Sequence, residues 1–396
     1  MNAPPDWDTL GFAFLATDWM YRAEADTDRD PPWEAGRFVP FGNLSLSPAA
    51  AVLSYGCGCF EGLKARRGVD GRVRLFRPDA HGARFARSAE RLALPPFAVA
   101  RFVEMAAGLA WRNGRFVPPA GKGTLYLRPM MHGTEALLGA RRSRYAGLTA
   151  YASPVGDVFG RDQGLRLKVM GTARAATGGT GGAKAMGNYA GVLLHKEAAV
   201  REGFDDLLFL DGSGRAQLGE ASGANLFCVL DDGTLATPPL DDTILAGVTR
   251  DSAVRVAEEV LGLRVEQRPL SLVEVRARAR EAFCTGTGWS VRPVAMLGGD
   301  GWECRLGPPD VATRMGDVLE GIRSGAHPDP FGWTVDVATI AFTFGGGDCY
   351  DFGPGGFTTV GATYQQALAH YLVAGLGGHI TAAAYPVGGN GRFTLK

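Results

Sequence analysis

An excess of charge of either sign is missing from this chain: lysine plus arginine and aspartate plus glutamate come to 41 each over 396 residues. Such a balance provides no global field for nucleic acid or for an anionic membrane, so the expected partners are small molecules. Cysteine is sparse, and the six present (Cys57, Cys59, Cys228, Cys284, Cys304, Cys349) include no CxxC pair and no His/Cys cluster with zinc spacing. No metal site is expected, and reduced thiols are the simplest account. Long apolar runs are lacking too: no stretch of about 18 uninterrupted apolar residues occurs. Met1 to Asp18 carries acids and prolines where a signal peptide needs a basic and then an apolar run. A soluble, cytoplasmic protein is the expectation. Glycine, by contrast, is abundant at 57 residues, above the usual share of about 7%, which points to tight turns or close backbone approaches to a ligand.

The length exceeds one ordinary domain. Residues 1–152 read as a compact α/β unit. It begins with a strand-like piece, Thr9 to Thr17, and an irregular proline-bearing arm, Asp26 to Pro40. Strands Leu63 to Arg67 and Arg72 to Phe76 follow, joined by Val69-Asp70-Gly71, a hairpin signal. Helices from Pro78 to Leu92 and from about Ala98 to Asn113 lead to strands Thr124 to Pro129 and Leu148 to Ser153. Residues 153–162 read as an interdomain connection. A second, larger unit over 163–334 shows strands at Leu165 to Thr172, Asp206 to Leu210 and Asn225 to Leu230. Its helices run from Tyr189 to Glu202, from a Thr249 cap to Leu261, and from Pro308 to Ser324. Residues 335–396 change character, rich in glycine and threonine, with a strand-like run Val337 to Phe344 and a helix-like run Thr363 to Leu376.

The glycine clusters do not make nucleotide loops. Gly178 to Lys184 lacks the Gly-Lys-Ser/Thr ending of a P-loop. Gly56 to Gly62 precedes a strand where a dinucleotide fingerprint opens a helix. Lys184 instead sits between a glycine run and Asn188-Tyr189. A lysine alone in such a loop is usually solvated, but a buried one has a lowered pKa and makes a Schiff-base nucleophile. Pyridoxal phosphate asks for further helpers: an acid for the ring nitrogen and donors for the phosphate. Glu220, just ahead of the small turn Ser222-Gly223, is a candidate acid; Gly247-Val248-Thr249 lies at a helix start, where free N–H groups favour phosphate. Thr287, in Thr285-Gly286-Thr287-Gly288, adds a second candidate set of N–H groups.

Tyr55 to Ala65, Leu75-Phe76-Arg77-Pro78, Arg84, Ser88-Ala89, Arg91-Leu92, Leu125 to Pro129, Gly178 to Tyr189, Glu220 to Asn225, Thr237 to Leu240, Ile244 to Ser252 and Thr285 to Pro293 stand in a telling order. With these motifs the chain, over about residues 1–334, resembles the branched-chain amino acid aminotransferases, class IV enzymes of pyridoxal-phosphate fold type IV. The resemblance implies a two-domain α/β fold of α+β type. A small N-terminal domain would line the substrate pocket, and a larger C-terminal pseudo-barrel domain would bind the cofactor. It implies transamination between a branched-chain or similar aliphatic L-amino acid and 2-oxoglutarate by a ping-pong mechanism, with Lys184 as Schiff-base lysine and proton shuttle. Glu220 would pair with the ring nitrogen and Tyr189 with the ring oxygen. Arg84 and the N–H groups of Gly247, Val248, Thr249 and Thr287 would hold the phosphate. Tyr55, Phe60, Tyr126 and Arg128 would line the substrate pocket, and Thr287-Gly288 would meet the α-carboxylate. Arg128 suits the side-chain carboxylate of glutamate. A homodimer or higher even oligomer is implied, since in this family a neighbouring subunit's loop completes the site.

Several positions depart from the family pattern. Ala224 stands where a methionine or glutamate is common, and Gly288 where an alanine is. Trp289 takes the place of a small or aliphatic residue, and the redox CxxC of some members is absent. These changes bear on the substrate more than on the reaction. The alternatives are a sibling on the same scaffold, such as a D-amino acid aminotransferase, a 4-amino-4-deoxychorismate lyase or a secondary-metabolism aminotransferase, and a non-catalytic cofactor-binding scaffold. The segment 335–396 has no counterpart in the family.

Overall fold

The computed structural model describes residues 4–156 and 164–338. A 3-10 turn at Trp7–Thr9 opens it, and no strand forms before Trp19. The strand expected over Thr9 to Thr17 is therefore replaced by an irregular segment. Its backbone groups go to single tethers instead of a ladder: Leu15 N–H donates to Ser153 Oγ at 2.9 Å, and Gly11 O accepts from Gly156 N–H at 2.9 Å.

The first sheet draws on β1 (Trp19–Asp26), β2 (Arg37–Pro40), β3 (Gly58–Phe60), β4 (Leu63–Arg67), β5 (Val73–Phe76), β6 (Thr124–Gly133) and β7 (Tyr145–Val155). Helices α1 (Ala51–Tyr55), α2 (Pro78–Arg91) and α3 (Val99–Arg112) lie between them in the chain. The β4–β5 hairpin turns at Asp70-Gly71, where Gly71 takes a φ of 80°, a region that glycine enters without a Cβ penalty. Pro78 starts α2, as its missing N–H allows at a first turn. Phe85 of α2 and Phe102 of α3 pack together in the core beside the sheet. The two-residue period of β6 then does the positioning. Leu125, Leu127 and Met131 enter that core fully buried, so Tyr126 and Arg128 point to the opposite face.

The second sheet is built from β8 (Leu165–Ala173), β9 (Asp206–Leu210), β10 (Leu218–Ala221), β11 (Asn225–Leu230), β12 (Leu235–Thr237), β13 (Val265–Gln267), β14 (Ala279–Gly286), β15 (Ser290–Gly299) and β16 (Trp302–Arg305). Its order is β10-β9-β8-β15-β14-β11-β12-β13, with β16 pairing on β15. The accompanying helices are α4 (Gly187–Ala190), α5 (Leu193–Arg201), α6 (Val248–Glu259), α7 (Leu272–Arg278) and α8 (Asp310–Ser324). Alternation divides β11 and β14 between two cores: Leu226, Cys228, Ala282 and Cys284 face one, while Phe227 and Phe283 stack at 5.1 Å on the side covered by α6 and α8. The helix expected from Tyr189 to Glu202 is interrupted at Gly191-Val192, between α4 and α5. Glycines at 187 and 191 each weaken a helix by about 1 kcal/mol relative to alanine. Thr249 does not cap α6; Gly247 occupies the cap position and Thr249 lies inside the first turn.

The chain finally returns to the first sheet. β17 (Thr334–Asp336) pairs antiparallel with β5, with Val335 opposite Leu75. The expected boundary between 334 and 335 thus falls within a strand. Likewise β7 runs on to Val155, opposite Thr124, past the boundary expected at 152. Apart from Val337 and Ala338, the runs expected at Val337 to Phe344 and Thr363 to Leu376 lie outside the described residues. No helix among the described residues is long and apolar enough to cross a membrane. Trp333 joins the two units: its carbonyl accepts from Arg77 N–H at 2.7 Å, and its ring stacks on Phe331 at 4.0 Å and meets Phe76 edge-on. Replacing Trp333 by alanine is expected to lower stability by about 3 to 5 kcal/mol, measurable as a fall in the denaturant midpoint of the full chain.

Candidate active site

A cleft open to solvent lies where the two sheets meet, and Lys184 is on its wall. The lysine's loop belongs to the second unit but is fastened to the first. Phe60 N–H donates to Lys184 O at 3.0 Å, Met186 N–H to Gly58 O at 2.9 Å, and Lys184 N–H to Ser88 Oγ of α2 at 3.0 Å. Arg91, one turn further along α2, donates to Gly179 O at 2.9 Å. At the end of its side chain, Lys184 Nζ donates to Tyr189 Oη at 2.9 Å and sits 4.7 Å from the centre of the Phe60 ring. Tyr189 reaches it from α4, the short helix that the glycines isolate.

Glu220 lines the same cavity from β10 and is only 4% exposed. Its carboxylate accepts from Arg174 at 2.5 Å, from Leu245 N–H at 3.0 Å and from Asn225 Nδ2 at 3.1 Å. Burial raises the pKa of this carboxyl above the usual carboxylate value, and Arg174 and the Leu245 N–H work in the other direction. Arg174 also donates to Gly181 O at 2.9 Å and Thr243 O at 3.2 Å, which ties the acid to the lysine's own loop.

The far end of the cavity is the N-terminus of α6. Gly247, Val248 and Thr249 line it, with Thr287 from the β14–β15 turn and Arg84 from α2. Among the described residues no side chain caps this helix, so its first N–H groups remain available. A Cβ on Gly247 would stand 2.0 Å from Asn225 Oδ1, so only glycine fits. Arg84 is held by Glu61, as Nε and Nη2 donate to its two oxygens at 2.6 and 2.9 Å, and by Ala246 O, which accepts from Nη1 at 3.1 Å.

Of the residues expected from the first unit, Tyr126 lines the cavity. Arg128 lies beside it, 5.2 Å from the Tyr126 ring and 4.8 Å from that of Phe60, and Phe60 packs edge-on against Tyr189. Gly288 adjoins the wall; Lys64 Nζ donates to its carbonyl at 3.3 Å. Tyr55 is the exception. It ends the five-residue α1, is 45% exposed, and its hydroxyl donates to the carbonyl of Leu138, which is itself 98% exposed. Gly56 follows it with a φ of 61°, and Tyr55 is not among the residues that line this chain's cavity. The sequence reading also missed Glu61, Arg174 and Asn225 as parts of the site. Glu61 and Asn225 stand inside recognised motifs, but nothing in the sequence shows which buried groups they touch.

A family model described as amino-transferase class IV matches residues 58–297. Branched-chain amino acid aminotransferase 1, mitochondrial, of Humulus lupulus is 40% identical over 336 residues, 84% of each chain. Methionine aminotransferase BCAT4 of Arabidopsis thaliana is 38% identical over 334 residues, covering 84% of this chain and 93% of that protein. Among solved structures, the branched-chain aminotransferase of the thermophilic archaeon Thermoproteus uzoniensis with norvaline superposes with a TM-score of 0.68 at 26% identity, covering 76% of this chain and 97% of that one. With the lysine, the buried acid and the open helix end gathered on one cavity, the chain belongs to the class IV aminotransferases, pyridoxal-phosphate-dependent transaminases of fold type IV.

Proposed function

We propose that the enzyme exchanges the amino group of a branched-chain or similar aliphatic L-amino acid with 2-oxoglutarate, giving the 2-oxo acid and L-glutamate. The observation that carries this reading is Arg128, a half-buried arginine packed against Phe60 and Tyr126 beside the lysine. Such a site offers an aliphatic chain two aromatic faces, and a glutamate side chain a bidentate cation.

The donor set of the cavity fits pyridoxal phosphate: an amine, a buried carboxylate and an uncapped helix N-terminus are the three partners the group needs. When bound, the cofactor supplies a carbonyl carbon for the amine and an electron-withdrawing ring for the electron pair at the substrate α-carbon. In this reading Lys184 Nζ takes and returns the proton at the α-carbon, with Tyr189 orienting the amine and bonding the ring oxygen. Glu220 holds the ring nitrogen. Arg84 and the N–H groups of Gly247, Val248, Thr249 and Thr287 hold the phosphate, while Thr287 and Gly288 receive the substrate carboxylate. We further propose a homodimer or higher even oligomer in which the exposed Tyr55–Leu138 pair faces a neighbouring subunit's cavity, and a cytoplasmic location. The free Cys57, Cys59, Cys228, Cys284 and Cys304 support the latter.

Cofactor-loaded full-length enzyme is expected to aminate 4-methyl-2-oxopentanoate at the expense of L-glutamate, and Lys184→Ala to abolish this. An absence of turnover with every aliphatic 2-oxo acid, including that of methionine, would overturn the reading. Arg128→Leu is expected to raise KM for 2-oxoglutarate by about tenfold or more, the worth of a charge-assisted pair, and to change KM for 4-methyl-2-oxopentanoate far less.

The Arg174–Glu220 pair yields a pH prediction. Because burial raises the folded-state pKa of Glu220, the folded state favours the protonated carboxyl, and the cost of ionising it grows as pH climbs from the ordinary carboxylate pKa to the raised one. Arg174 limits that cost. Arg174→Gln should therefore destabilise cofactor-free protein by about 3 to 5 kcal/mol at neutral pH and by less in acid. Thermal melts from pH 5 to pH 8 check the sign; an equal loss at both ends would refute it.

A further inference from the structure

Glu61 is fully buried and holds Arg84 through both carboxylate oxygens, at 2.6 and 2.9 Å. Two more groups close around it: His81 Nδ1 at 2.9 Å and the Gly62 N–H at 3.1 Å, both on Oε2. His81 is itself buried, and desolvation keeps its pKa below the ordinary imidazole value despite Glu61. A carboxylate oxygen only accepts, so His81 Nδ1 carries the hydrogen and donates it to Glu61. Burial opposes the charge on Glu61, yet Arg84 and His81 hold its carboxyl well below the usual range. An arginine carries five N–H groups. Glu61 engages one on Nε and one on Nη2, and Ala246 O engages one on Nη1, which leaves one on each terminal nitrogen of a side chain that lines the cavity.

We propose that Glu61 is a positioning residue for the cofactor phosphate, acting through Arg84. It clamps the guanidinium edge-on, so that the two remaining N–H groups face the anion at the N-terminus of α6. This inference rests on the assignment of Arg84 to the phosphate. By charge alone a carboxylate so near a phosphate site opposes anion binding, so the function of Glu61 there is orientation. A long arginine left unclamped has rotamer entropy to lose on binding, and Glu61 removes that loss in advance.

The two roles predict opposite signs. If Glu61 acted only as a counter-charge, removing it would tighten phosphate binding; if it positions Arg84, removal weakens it. Dissociation constants for pyridoxal phosphate and for pyridoxal, which lacks the phosphate, are measured on the full chain from the absorbance of the lysine-bound chromophore. The set is the native protein, Glu61→Gln, Arg84→Gln and the double variant. Glu61→Gln should weaken pyridoxal phosphate by about tenfold or more, leave pyridoxal within about twofold, and add nothing once Arg84 is gone. Unchanged or tighter pyridoxal phosphate, or an equal loss for pyridoxal, overturns the proposal. An Arg84→Gln protein that binds both ligands as the native one does overturns the phosphate assignment itself. Should Glu61→Gln fail to fold, Glu61→Asp keeps the charge, shortens the reach and is read by the same pair of ligands.

Discussion

The backbone exchange around Lys184 decides where everything else in the site can stand. Phe60 N–H to Lys184 O and Met186 N–H to Gly58 O are bonds of a kind normally made within one sheet, yet here they join the lysine's loop to the edge of the first sheet. They require the two chains to lie at strand spacing. Gly58 makes that possible, because a Cβ there would stand 2.8 Å from Met186 Sδ and 2.9 Å from Met131 O. Since the loop also bonds to Arg174 through Gly181 O, the lysine is registered at once against the aromatic wall and against the buried acid. The two walls of the cavity are therefore coupled through a few main-chain hydrogen bonds instead of resting on loop stiffness.

Buried charge in the site follows a consistent logic. Arg84 has Glu61 and Glu220 has Arg174, and in each pair close hydrogen bonds repay part of the desolvation that both partners suffer. Neither pair contributes much net charge, so what each adds to the cavity is direction: donors aimed one way and an acceptor aimed another. Arg128 differs. Among the described residues its neighbours are rings and a hydroxyl, and Nε finds no hydrogen-bond partner. A guanidinium kept in that state, with no carboxylate partner among the described residues, is stabilised by aromatic faces.

Much of this is legible in the sequence because it is local. Period-two alternation sets which face of β6 carries Tyr126 and Arg128, and Asp70-Gly71 marks the hairpin. The glycine loop, the Glu220 turn and the α6 start are visible as separate signals and do converge on one cavity. What escapes is what depends on contacts distant in the chain. Nothing around Glu61 reveals that its neighbour is a helix residue 23 positions away, and nothing around Arg174 reveals Glu220. Tyr55 is a complementary case: it stands in a recognisable motif, yet it does not line the cavity of its own chain and bonds to Leu138 instead. The segment expected as a strand over Thr9 to Thr17 does run beside the end of β7, but it is joined there by isolated bonds, two of them made by side-chain hydroxyls, and not by a ladder.

The glycines of the cavity separate into two kinds, and the difference bears on what the site can accept. At Gly247 a side chain would collide with Asn225 and disturb the bond that Asn225 makes to Glu220, so glycine is demanded by the scaffold. At Gly223 and Gly288 the nearest atoms to an added Cβ are Trp289 Nε1 and Phe12 Cζ, each at 3.8 Å, an ordinary contact distance. The scaffold would tolerate alanine at both. The bareness of Gly223, together with the small Ala224 beside it, cedes volume on that side of the cavity, in a place where neither the fold nor the charged pairs need it, which is the room the proposed substrate would use.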